Sequence, residues 1–213
     1  MKVEELAPGL WRWTGYHEEW KQDVGCLSME TSDGLVLIDP LVPPADAGRF
    51  LTALDRDVTR LGGTVHVLIT VYYHARSAGE LIQRYGGRLW ASSRARAAIA
   101  RRAGDPTDVF RPEDDLPGGI RAFPSGRGTE VVYWLPEHRA LALGDVILGA
   151  KDGGVRLCPA SWLPAGTDLA TLRDRLRPLL DLPVERLLVS HGEPVLTNGR
   201  AGLERALAAS VAD

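Results

Sequence analysis

The sequence predicts an α/β fold, and three observations carry that prediction. The stretch from Thr64 to Thr70 is a run of β-branched and apolar residues, the pattern of a strand buried on both faces. Two strand-rich blocks follow one another along the 213 residues, each succeeded by segments with helical spacing. Polar residues recur directly after the predicted strands: Asp39, the residues from Tyr73 to Arg76, Asp145 and His191. Open α/β sheets place ligand chemistry at such carboxyl ends, so these residues are expected to line one pocket.

Each element has its own warrant. Residues 9–15 alternate aromatic and polar side chains and predict a first or edge strand, whereas residues 17–23 are polar and predict a loop. Residues 24–30 and 34–39 predict two short strands joined by a turn at Thr31-Ser-Asp-Gly34; the prolines that follow stop the second. Residues 45–61 carry Phe50, Leu51, Leu54, Val58 and Leu61 at helical spacing, and Gly62-Gly63 ends that helix. After the strand at 64–70 a helix is expected at 77–85, a strand at 89–92 and a helix at 94–103. Residues 108–119 read as an acidic, proline-containing loop. Strands are expected at 121–123, 129–135 and 139–143, with Pro136-Glu-His138 as the turn between the last two. Residues 144–149 leave the last of these strands at once, and 161–167 form a loop of small residues. Asp168 is a good N-cap for a helix reaching about residue 180. A buried strand at 184–190 ends in His191-Gly192-Glu193-Pro194, and a helix at 200–211 closes the chain.

The bulk properties exclude several classes. The length suits one substantial core, so a single domain over 1–213 is expected. Apolar residues at 45% and charged residues at 25% are those of an ordinary globular chain. A net charge of −3 gives no electrostatic case for nucleic acid, and the arginines at 94–102 and 173–177 fall on the solvated faces of predicted helices. No apolar run reaches membrane-span length and no basic-then-apolar leader opens the chain, so a cytoplasmic protein without a membrane partner is expected. Cys26 and Cys158 are too few and too far apart for a disulfide framework and read as free, buried thiols.

Four groups of residues carry a family resemblance: Leu35-Val-Leu-Ile-Asp39, Leu68-Ile-Thr70 with Gly79 at its offset, Leu143-Gly-Asp145, and Leu188-Val-Ser-His191-Gly-Glu-Pro194. In order and spacing they resemble the metallo-β-lactamase superfamily, over essentially the whole chain. The resemblance implies an α/β, four-layer αββα sandwich with two divalent ions held by His and Asp side chains. That family's metal loop reads Thr-His-x-His-x-Asp-His-x-x-Gly. Placed on Thr70 and Gly79, this sequence has Val71 and Tyr73 at the first two His positions, Ala75 at the Asp and Arg76 at the last His. His74 falls on a variable position. A further family His belongs in segment 123–128, which has none. What the resemblance retains is Asp145, which would bridge the two metals, and His191, which would bind the second.

The expected function is therefore that of a fold member without the dinuclear zinc site, inactive as a metallohydrolase and binding a small ligand in the remnant cleft. One alternative is hydrolysis of an ester, lactone or phosphoester with a single weakly held metal on Asp145, His191 and His74. Another is a structural or partner-binding homo-oligomer. No cofactor is expected, with Asp145, His191 and His74 as residual candidates for zinc or another divalent metal at low occupancy. The pocket candidates are Tyr73, His74, Arg76, Asp145 and His191, with an Arg76–Asp145 pair in the second metal's place. Asp39 reads as an anchor beneath the site. His74 suits a ligand or a base, and equally a hydrogen-bonded core histidine. His17, His66 and His138 read as loop, strand and turn residues; Tyr72 and Tyr73 suit holding a substrate or ion, and Trp11, Trp13 and Trp20 suit a pocket rim or self-association, but packing is the preferred reading of all five. Specificity is expected from loops 108–119 and 157–167.

Overall fold

A computed structural model describes residues 1–112, 114–151 and 153–209. The first half forms one sheet whose strands lie in chain order. These are β1 (Lys2–Ala7), β2 (Leu10–His17), β3 (Gln22–Thr31), β4 (Gly34–Ile38), β5 (Thr64–Leu68), β6 (Arg88–Ser92) and β7 (Asp108–Phe110). The first four are antiparallel hairpin partners, and β4 to β7 run parallel. Parallel neighbours need crossovers, supplied by α1 (Ala47–Leu61), α2 (Ala78–Tyr85) and α3 (Arg96–Ala103). Right-handed crossovers taken in one direction along a sheet put all three helices on one face.

The second half supplies β8 (Arg121–Pro124), β9 (Val131–Leu135), β10 (Ala140–Leu143), the hairpin of β11 (Ile147–Gly149) and β12 (Val155–Leu157), α4 (Leu169–Leu176), β13 (Arg186–Val189) and α5 (Gly199–Ala208). Its main sheet has the order β13-β10-β9-β8, with β10 and β13 parallel and the other pairs antiparallel.

Three separate cores define four layers. In the first, Phe50 and Leu54 of α1, Leu81 of α2 and Ile99 of α3 meet Leu35, Leu37, Val65 and Val67 of the first sheet. In the second, Val36, Ile38 and Leu68 on that sheet's other face meet Tyr133, Leu135, Ala140 and Ala142. In the third, Val132, Trp134, Leu141 and Leu143 meet Leu172 and Leu176 of α4 and Leu203 and Leu207 of α5. The period-2 alternation along β9 and β10 thus feeds two cores from one strand. The architecture is the expected αββα sandwich.

The departures from the sequence reading have local causes. Lys2–Ala7 is an edge strand, half-exposed and charged, so its apolar alternation is weak. The loop expected at 17–23 shrinks to a tip at 18–21, because pairing of β2 and β3 continues to His17 opposite Gln22. The loop expected at 108–119 begins with β7, an edge strand of three residues, and carries Gly118 against Met29 and Thr31 at the far end of β3. Residues after Leu143 pair again as β11 with β12. Asp168 caps α4 as expected, accepting from Thr171 N at 2.7 Å, but the α-helix stops at Leu176 and a 3-10 turn carries on through Pro178. Glu113 of that expected loop and Val211 of the expected last helix lie outside the described residues. Among the described residues, no helix is long and apolar enough to cross a membrane. Both cysteines are free and buried.

Candidate functional site

Two parallel strand pairs end side by side, which is why polar residues recur after strands. Ile38 of β4 pairs with Leu68 of β5, and Leu143 of β10 with Val189 of β13. Asp39, Thr70, Asp145 and His191 follow these ends directly. The two sheets touch there through Val131 N donating to Thr70 O at 2.9 Å and Gly25 N to Ser190 O at 2.7 Å. Tyr133, buried between the sheets, donates its hydroxyl to Ile69 O at 2.9 Å.

Asp39 is the anchor the sequence suggested. Its carboxylate accepts from Thr70 N at 2.8 Å and from the Thr70 hydroxyl, and His74 Nδ1 donates to Asp39 Oδ2 at 2.9 Å. His74 lies in a 3-10 turn at Tyr72–Ala75 and is wholly buried. The turn aims the ring inward, so the residue from a variable position of the family loop stands at the centre of the site. Its Nε2 is 3.1 Å from Asp145 Oδ1, and His191 Nε2 is 3.0 Å from that same oxygen. His74 Nε2 and Asp145 Oδ1 are buried, yet neither contact has good hydrogen-bond direction.

Burial works against charge on Asp145, but the His191 and His74 imidazoles outweigh it and hold the carboxyl well below its usual range. Burial and Arg76 disfavour a charged His74, whereas Asp39 and Asp145 prevail and raise its pKa. As an imidazolium, His74 can donate to both carboxylates. As a neutral imidazole it keeps its proton on Nδ1 for Asp39 and turns a bare Nε2 toward Asp145.

Arg76 does not pair with Asp145. Its backbone turns at φ +34°, and its guanidinium donates instead to Ser190 Oγ at 2.7 Å, Asp39 O at 2.9 Å and Gly25 O at 3.2 Å. The φ reversal sends the side chain toward β3 and β13, under Trp20, whose ring centroid lies 5.5 Å away. The guanidinium nearest Asp145 is that of Arg127, 3.7 Å from Oδ2. It comes from segment 123–128, where the resemblance required a histidine and this chain has none.

Glu130 organises this side of the site. Its Oε1 accepts from Asp145 N at 2.7 Å and Val146 N at 2.8 Å, and its Oε2 accepts from Arg127 at 2.9 Å. Burial pushes its carboxyl up to about 7 in spite of those donors. Gly144 is required beside it, since a Cβ there would meet Thr70 Oγ1 at 2.7 Å and Glu130 Oε1 at 2.8 Å.

Aromatic rings cover the cluster. Trp20, at the tip of the β2–β3 hairpin, stacks on His17 at 4.0 Å and lies 5.6 Å from His74 and 6.0 Å from His191. The Tyr73 ring stands 5.5 Å from His74, and its hydroxyl is buried on the Arg127 side of the site. Of the five pocket candidates, His74, Asp145 and His191 converge, Tyr73 walls them, and Arg76 is spent on backbone and Ser190. Sequence reasoning missed Arg127 and Glu130, and it offered Trp20 as a pocket rim but preferred packing. An acid three residues after an arginine just before a buried strand was the only local signal. His66 is a strand residue that accepts from Trp90 Nε1, and Trp13 is buried and donates to Leu41 O. Burial lifts the Cys26 and Cys158 thiols to about 11, so neither is a nucleophile near neutrality.

The fold recurs in solved structures. A metallo-β-lactamase from Pontibacter korlensis superposes over 98% of this chain and 99% of its own, with 21% identity and a TM-score of 0.70. This chain has the metallo-β-lactamase fold. A second such enzyme, from Erythrobacter litoralis with β-mercaptoethanol in its active site, covers 96% of this chain and 93% of its own at 17% identity and TM-score 0.69. The metallo-β-lactamase FIM-1 from Pseudomonas aeruginosa, in a mono-zinc form, covers 98% and 96% at 15% identity and TM-score 0.67. No protein-family model and no curated protein matches the sequence. At these identities the likeness establishes the fold, and the side chains decide the chemistry.

The two-ion centre associated with the metallo-β-lactamase fold does not fit these residues. Val71 and Ala75 offer no donor, and Arg127 brings a cation where a ligand would be needed. One ion does fit. His74, Asp145 and His191 each offer a ligand atom, and these atoms all lie within 4.8 Å of one another. Two imidazoles and a carboxylate are a common donor set for zinc or iron, with further positions left open. Asp39 on His74 Nδ1 is the outer carboxylate that fixes a ligating histidine.

Proposed function

We propose that this protein keeps the metallo-β-lactamase fold, has exchanged the two-ion centre for a single divalent-cation site on His74, Asp145 and His191, and hydrolyses an ester, lactone or phosphoester there. The observation that carries this reading is the convergence of His74 Nε2, Asp145 Oδ1 and His191 Nε2, the first two buried and poorly directed at one another and the third on a half-buried side chain. A divalent ion held there supplies Lewis-acid polarisation of a carbonyl or phosphoryl oxygen and lowers the pKa of water. The chain's own residues do the rest. Asp39 fixes the His74 tautomer, Glu130 holds the turn that presents Asp145, and Trp20 and Tyr73 keep bulk water off the ligands.

Metal analysis of protein purified without chelator tests this. The expected result is about one divalent ion per chain, with the ion lost in Asp145→Asn and His74→Ala, as for a site of three protein ligands. Protein that stays metal-free after incubation with zinc, manganese and iron(II) overturns it. A second reading, a metal-free ligand-binding cleft, is favoured by Arg76 and Arg127, which place fixed positive charge where an ion's charge would otherwise fall. Under that reading small anions raise the melting temperature of metal-free protein.

A further inference from the structure

We propose that Arg127, between Tyr73 and Trp162, is an anion-recognition subsite that selects substrates carrying a carboxylate next to a flat apolar group. This deepens the reading of the cleft as an active site and rests on it.

The guanidinium is held as a binding group is held. It is nearly buried and fixed at both ends: Nη1 donates to Glu130 at 2.9 Å, and Nε donates to Trp162 O at 3.2 Å. Its carbon lies 5.7 Å from the centroid of the Tyr73 ring and 5.8 Å from that of Trp162. A guanidinium flanked by two rings is pre-organised, and the N–H groups that Glu130 and Trp162 leave over can meet a carboxylate. The position is next to the reacting centre, 3.7 Å from Asp145 Oδ2.

Two further observations bear on the ligand. The Tyr73 hydroxyl is buried on the Arg127 side of the site, and the guanidinium carbon lies over the Tyr73 ring, so phenol and guanidinium form one polar surface beside Asp145. Trp162 is a large apolar side chain that is 42% exposed on loop 157–167, one of the two loops expected to set specificity. Trp162 and Tyr73 are walls for the apolar part of such a substrate, and the arginine between them is the stop for its charge. The other expected loop, 108–119, packs against Thr31, away from this mouth.

Charge supports the sign. With a divalent ion in place, Arg76 and Arg127 bring the positive charges to four, against the three carboxylates Asp39, Asp145 and Glu130. The loaded site therefore attracts an anion.

Calorimetry with phenylacetate and its neutral isostere phenylacetamide tests the subsite on the full chain, both as purified and after dialysis against chelator. In the wild type, phenylacetate is expected to bind about tenfold or more tightly than phenylacetamide. Arg127→Gln abolishes that preference, and Trp162→Ala weakens phenylacetate several-fold. Should Arg127→Gln not fold, Arg127→Lys carries the comparison, keeping charge but losing the fork and most of the preference. A folded Arg127 variant with wild-type preference overturns the proposal, as does a wild type that binds neither compound or both alike. A preference that survives in Arg127→Gln and vanishes with chelator assigns the carboxylate to the ion and overturns it too. Metal content is read separately. Arg127-dependent preference in protein that takes up no ion from zinc, manganese or iron(II) keeps this subsite and rejects the single-ion site, whereas ion uptake without that preference rejects this subsite alone.

Discussion

His74 stands between two carboxylates with no access to solvent, so its protonation is bound to the stability of the fold. Its folded pKa is raised above the unfolded value of 6.5. The stabilisation it brings as an imidazolium is therefore present in full below pH 6.5 and is lost as pH rises through the folded value. Asp145 acts at the other end: its folded pKa is depressed, so its contribution holds above the ordinary carboxylate value of 3.8 and fails as pH falls below it. Melting temperatures of chelator-treated protein are expected to decline on the alkaline side of pH 6.5. In His74→Gln that alkaline decline flattens while the acid one remains, and an unchanged alkaline limb in the variant rejects the assignment. Strain accompanies the chemistry here. Asp39 and Arg76 both hold positive φ without being glycine, at about 1–3 kcal/mol each, and their hydrogen bonds keep them there. Val71, Ala75, Asp145 and His191 were legible in the sequence because each sits at a fixed offset from a strand end. The role of His74 was not, since it depends on a 3-10 turn that no periodicity announces. Nor was the partner of Arg76, which a single backbone reversal decides.

At the scale of elements, the site hangs on short turns clamped by one buried acid. Glu130 joins the start of β9 to the turn after β10 and to the loop that carries Arg127. Glu130→Ala would leave two amides and a guanidinium without acceptors in a closed interior, at a cost of roughly 3–5 kcal/mol. Urea titration should show this loss, and a change below about 1 kcal/mol would show that water replaces the carboxylate. The strands that flank these turns were readable because burial on both faces leaves uninterrupted apolar runs, as in Leu35-Val-Leu-Ile38 and Leu187-Leu-Val189. The helices α1 and α2 were readable from their spacing and from the glycines that end them. Edge strands β1 and β7 and the β11–β12 hairpin were not, since one covered face or three paired residues leave too little pattern to count. The same lack of pattern left Trp20 undecided between packing and a pocket rim, since its place over His74 depends on the hairpin tip it occupies.

At the scale of the whole molecule, the site straddles a seam. The first sheet and its helices carry Asp39, Thr70 and His74; the second carries Asp145 and His191, and the halves meet at Gly25 and Ser190. A cation on His74, Asp145 and His191 would thus be a rivet between two layers, each with its own helix-backed core. Whatever binds only when the layers are docked stabilises the docked form, by about 2.7 kcal/mol at a hundredfold excess over the dissociation constant. Added zinc or manganese should raise the melting temperature of chelator-treated protein in proportion to the logarithm of its concentration. In Asp145→Asn the slope should vanish. Seen this way, the three ligand atoms measure the alignment of the two halves, and a chain whose layers had slipped by one residue of register could not assemble them.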